Sequence, residues 1–68
     1  MVTYEFWRNR GTGEVFAVKL LDGVVVSCCG PLHHGDIDPG FLEDLDYSDA
    51  GAASIEAARE EYALVGDA

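Results

Sequence analysis

The densest run of side chains able to do chemistry is Cys28-Cys29-Gly30-Pro31-Leu32-His33-His34-Gly35-Asp36-Ile37-Asp38: two thiols, two imidazoles and two carboxylates within eleven residues. Zinc takes such groups, four of them in a tetrahedron, on spacers that let the chain fold back. A Gly-Pro turn between Cys29 and the histidines can bring them together. The Cys29–Asp36 segment is therefore a candidate metal-binding or metal-sensing element, through Cys29, His33, His34 and Asp36. Against it stands the lack of any Cys-x-x-Cys or His-x-x-x-His spacing, and neighbouring side chains in a strand, such as Cys28 and Cys29, point to opposite faces. The alternative is two thiols acting as small hydrophobes and two histidines at the surface, so no metal or other cofactor is assigned. A Cys29 nucleophile with His33 or His34 as its base would make a thiol-dependent enzyme. Its thiolate would need a cation or a helix N-terminus beside it, and neither is evident, so no catalytic residue is assigned.

Two further patterns are weaker. Asp44, Asp46 and Ser48 occupy the first, third and fifth positions of an EF-type calcium loop, but Asp49 stands where glycine is needed. Ile55 stands at the twelfth position, and Glu56 comes one place late. The tip Phe6-Trp7-Arg8-Asn9-Arg10-Gly11 interleaves aromatics with arginine, as single-stranded nucleic-acid binders do. Trp7 shares a strand face with Thr3 and Glu5, opposite Tyr4 and Phe6, which places Tyr4 and Phe6 in the core and Trp7 on an interface.

Charge argues against nucleic acid. The chain has 68 residues, with 4 Lys and Arg against 13 Asp and Glu, a formal net charge of −9. Residues 1–30 sum to zero: Glu5, Glu14 and Asp22 balance Arg8, Arg10 and Lys19. Residues 31–68 set ten acids against Arg59 alone and so carry the whole −9. Such a surface repels phosphate backbones and anionic membranes and favours a basic protein partner. At this length the chain is a single domain, 1–68, with one thin core. No basic start leads into an apolar run of signal-peptide length, and no stretch could cross a membrane as a helix, so the expected compartment is the cytoplasm, with both cysteines reduced.

The elements that must position these groups are short. Val2 to Arg8 is rich in β-branched and aromatic residues and forms a strand, and Asn9 to Gly13 is a turn. Glu14–Leu21 and Val24–Cys29 are two strands joined by Asp22-Gly23, the strongest short hairpin signal, a two-residue type I′ turn. That turn pairs Leu21 with Val24, Leu20 with Val25, Val18 with Ser27 and Phe16 with Cys29. Neither resulting face is polar. One helix can cover only one of them, so the second sheet face is expected to bind another copy in a homodimer. Asp38-Pro39 starts a short helical turn over Pro39–Leu45, anchored by Phe41, Leu42 and Leu45. Ser48 or Asp49 then caps a helix running to about Leu64, with Ala52, Ile55, Ala58, Tyr62 and Val65 along one stripe and Gly66 ending it.

The expected fold class is thus α+β: a three-stranded antiparallel β-meander, an acidic loop with a short helical turn, and one C-terminal α-helix packed on the sheet. The expected function is a small, acidic, self-associating interaction module without evident enzymatic activity. Its candidate binding residues are Cys29, His33, His34, Asp36 and Trp7.

Overall fold

The computed structural model describes residues 1–65. It is an α+β structure with four antiparallel strands: β1 (Val2–Asn9), β2 (Val15–Leu21), β3 (Val24–Leu32) and β4 (Tyr62–Val65), in the order β3-β2-β1-β4. One short helix, α1 (Ala52–Ala57), lies between the third and fourth strands in sequence. 3₁₀ helices occupy His34–Asp36, Pro39–Asp44 and Arg59–Glu61. Among the described residues no helix is long and apolar enough to cross a membrane.

Both turns form where glycine and small polar residues allow them. Asp22 (φ 52°) and Gly23 (φ 87°) take the left-handed conformations that a type I′ turn requires. The α-amino group of Met1 pairs with the Asp22 carboxylate at 2.6 Å beside this turn. At the other hairpin the Asn9 side chain accepts from the N–H groups of Gly11 and Thr12 (2.8 and 3.0 Å), and Gly13 supplies φ 81°.

The β2–β3 register departs from the one a regular hairpin gives. Leu21↔Val24 and Leu20↔Val25 pair as expected, but Lys19 then faces Ser27, Val18 faces Cys28 and Ala17 faces Cys29. Val26 is the extra residue of a β-bulge. The bulge exchanges Ser27 for Cys28 beside Val18, Leu20 and Val25, so a hydroxyl leaves the core and an apolar thiol enters it. The register shifts once more between Ala17↔Cys29 and Val15↔Leu32, in the stretch that holds the cis Gly30-Pro31 bond.

The first sheet face, with Trp7, Val18, Leu20, Val25 and Cys28, packs against Ala52 and Ile55 of α1. Phe16 and Tyr62 close this core at its rim. Trp7 is 6% exposed, so it belongs to the core and not to an interface. Its indole N–H donates to Glu5 at 2.9 Å, and the Arg59 guanidinium lies 5.1 Å from the ring centre. Glu5 is what makes that face tolerable for Trp7, since it satisfies the one polar atom of the ring.

The expected long C-terminal helix is the main correction. Ala52 and Ile55 do form a buried stripe, but the helix ends after six residues, and Tyr62-Ala63-Leu64-Val65 becomes a strand on β1. Without it the outer edge of β1 at Arg8 and Phe6 would lack backbone partners, and Tyr and Val favour a strand. Tyr62 still reaches the core, from a strand instead of a helix. The expected cap differs too: Gly51 (φ 84°) precedes α1, while Ser48 pairs with Cys28 through two backbone bonds of 2.9 Å. Gly66 lies outside the described residues.

Ser48 is where the chain crosses the β3 edge. Residues 33–47 lie over the second sheet face, and α1 lies over the first. Phe6 and Ala17 are buried on the second face, 3% and 0% exposed. That face is therefore largely covered by the chain's own acidic segment. Asp38 caps the 3₁₀ helix as expected, accepting from Gly40 N–H at 2.9 Å. Of the expected anchors Leu42 and Leu45 are half-buried, whereas Phe41 is 61% exposed and anchors nothing.

Candidate functional site

The site that the sequence singles out is divided by the sheet. Cys28 projects into the helix-side core, where its thiol donates to the Ala50 carbonyl at 3.4 Å. Cys29 projects to the opposite face and is half-buried beneath the end of the acidic segment. His33, His34 and Asp36 follow β3 in and around the first 3₁₀ helix, and all three are exposed. Among the described residues no three Cys, His, Asp or Glu side chains gather closely enough to hold a metal ion.

Electrostatics work against a reactive thiol. Burial pushes the Cys28 thiol up, and the neighbouring Cys29 adds to the effect. Burial also raises Cys29, the negative charges of Asp46 and Asp36 push the same way, and a hydrogen bond from the Asp46 backbone only partly offsets them. Thiolates are stabilised by cations or helix N-termini, and Cys29 has carboxylates instead. These surroundings keep the Cys29 thiol protonated and do not activate it as a nucleophile.

Pattern reading missed Tyr47. Its ring meets Tyr4 edge-on at 5.3 Å, and its hydroxyl donates to the Leu42 carbonyl at 2.6 Å. Burial, with the negative charges that Cys29, Tyr4 and Glu43 can carry, pushes its phenol up to about 12, so it stays a hydrogen-bond donor at any ordinary pH. The only hint in the sequence was a lone aromatic between Asp46 and Ser48 in an otherwise acidic run. Next to it lies a cleft of about 250 Å³ between β1, the second 3₁₀ helix and β4, lined by Tyr4, Glu5, Phe6, Leu42 and Val65 among others. Its one charged group, Glu5, is already engaged with Trp7.

The acidic segment itself presents an array of carboxylates. Asp36, Asp38, Glu43, Asp44, Asp46 and Asp49 are all exposed. Asp38 and Asp49 bond locally, to Gly40 N–H and the Ser27 hydroxyl. Of the four cations, Arg59 pairs with Glu56 at 3.0 Å and Arg10 donates to the Glu60 carbonyl, while Arg8 and Lys19 stand on the second sheet face. Among the described residues no ion pair reaches the array. Comparison of the chain with protein-family models, with curated proteins and with solved structures finds no match.

Proposed function

We propose that the protein is a small, non-enzymatic interaction module whose acidic segment contacts a basic protein partner. The observation that carries this reading is the run of exposed carboxylates from Asp36 to Asp49, with no cation paired to them among the described residues. Surface charges of one sign held on a short loop steer an oppositely charged partner and are screened by salt. The thiols have the wrong surroundings for catalysis, and His33, His34 and Asp36 serve here as loop polar groups beside the array.

The test uses a lysine-rich peptide as the probe, titrated against two variants that each remove negative charge. Neutralising Asp36, Glu43, Asp44 and Asp46 to their amides weakens binding at least tenfold at low salt. Neutralising Glu60 and Glu61 leaves it within about twofold. Equal losses per charge removed would mean that bulk net charge binds the peptide, and the segment would not be a site.

Self-association belongs to the same reading. Val2, Leu21 and Val24 stand side by side across three strands on the second face, 47%, 46% and 50% exposed, beyond the part that the acidic segment covers. Exposed apolar rows of this kind favour contact with a second copy. Sedimentation at tens of micromolar should then show a dimer that Val24→Lys dissociates, and a monomeric wild-type protein would end this part of the proposal.

A further inference from the structure

The covers on the two sheet faces are attached in different ways. On the first face α1 contributes the buried Ala52 and Ile55, and its Glu56 carboxylate accepts from Val25 N–H at 2.8 Å. On the second face neither 3₁₀ helix of the acidic segment contributes a buried residue. The hydrogen bonds within that segment are local and would travel with it: Asp36 N–H to the His33 carbonyl, Phe41 N–H to the Asp38 carbonyl, and the Asp38 cap. Among the described residues its polar contact to the sheet is the Asp46 backbone N–H against the Cys29 sulfur, a weak acceptor. Its other ties are the Tyr47 hydroxyl on the Leu42 carbonyl, from a ring that rests on Tyr4, and the half-buried Ile37, Leu42 and Leu45.

Ion pairs do not fasten the segment either. Residues 33–46 carry Asp36, Asp38, Glu43, Asp44 and Asp46 with no Lys or Arg, and although Lys19 and Arg8 stand on the second sheet face, no ion pair among the described residues joins them to the segment.

We propose that residues 33–46 form a strap that lifts off the second sheet face as a unit, hinged at Leu32–His33 and Asp46–Tyr47, while the sheet and α1 stay folded. Lifting uncovers Cys29 and Phe6 and removes the Leu42 wall of the cleft, so this apolar surface is gated by the chain's own acidic segment.

The two native cysteines are internal probes, Cys29 under the strap and Cys28 under α1. The experiment labels the full-length protein with a bulky maleimide and follows each cysteine separately by peptide mass spectrometry. Tyr47→Phe removes the hydroxyl tie without opening space, and should raise the Cys29 rate about five- to tenfold with Cys28 unchanged. Leu42→Ala should give the same Cys29-selective gain. A Cys28 rate that rises in step with Cys29 would mean that the whole domain opens. Unchanged Cys29 labelling in both variants would mean that the cover is fixed. Either result overturns the strap.

Discussion

The two faces of one sheet are closed by the same chain in two physically different ways. On the helix side, Trp7, Val18, Leu20, Val25 and Cys28 meet Ala52 and Ile55 in a continuous cluster, and Arg59 and Glu56 fasten the turn and the edge strand from outside. On the other side Phe6 and Ala17 are equally buried, but the segment above them carries five carboxylates and is held by half-buried side chains and one tyrosine hydroxyl. Burial alone does not distinguish the two covers. What distinguishes them is whether the covering residues are themselves buried, and whether their backbone or side chains bond to the sheet.

The sharpest way to break the helix side is Trp7→Ala. Removing a buried indole costs about 3–5 kcal/mol. At ~0.05–0.15 kcal/mol per residue a domain of this length has about 3–10 kcal/mol in total, so this one change removes from about a third to all of it. Near-ultraviolet circular dichroism and a urea melt would show it. Gly30→Ala ranks next. A Cβ there would sit 2.8 Å from the Phe16 ring and 3.1 Å from the Val15 carbonyl oxygen, at φ 147°. Crowding against backbone has no cheap relief, and a loss of about 2–3 kcal/mol is expected in the same melt.

The comparison itself is tested by a matched pair. Ile55→Ala should cost about 2–4 kcal/mol, because the side chain is 6% exposed in the central cluster. Leu42→Ala should cost less than about 1.5 kcal/mol. Leu42 is half-buried at the wall of an open cleft, and the free energy it can forfeit is bounded by what holds the strap down. Equal losses in chemical denaturation would erase the distinction between the two covers.

Much of this was legible in the residues, and the failures have specific causes. Asp22-Gly23 announced its hairpin, and Asp38-Pro39 its capped turn, because both depend on local backbone chemistry. The β3 register was not legible. Whether Val26 bulges depends on which of Ser27 and Cys28 must be buried, and that is decided by α1, more than twenty residues later in the chain. The stripe Ala52, Ile55, Ala58, Tyr62 and Val65 has helical spacing throughout, yet its last members sit in β4. A free strand edge on β1 outweighed periodicity there. Trp7 lies in the core against expectation because Glu5, on the same strand face, accepts from its indole N–H, a pairing that the alternation of β1 does not reveal. At the candidate site, the divergence of Cys28 and Cys29 followed from strand geometry, while Tyr47 needed the fold, since its partners Tyr4 and Leu42 give no pattern with it.

The smallest expected effect concerns pH and again falls on the helix side. The Glu56 carboxyl is held below the ordinary carboxylate range, first by the Val25 N–H bond and then by the hydrogen bond and charge of Arg59. A carboxylate whose folded value is depressed adds stability that is present above its unfolded value, near 4.3, and lost as pH falls through the folded one. Glu56→Gln keeps an acceptor for Val25 but carries no charge. The variant should therefore melt below the wild-type protein at neutral pH, and the gap should narrow as pH falls below the unfolded value and close as it passes the depressed folded one. The comparison is made as a difference between two melting curves, because the other carboxylates of this −9 chain titrate in both proteins and cancel. A gap that stays constant down to pH 3 would show that Glu56 acts through shape and not charge, leaving Arg59 to hold the edge through Gly23 and Trp7 alone.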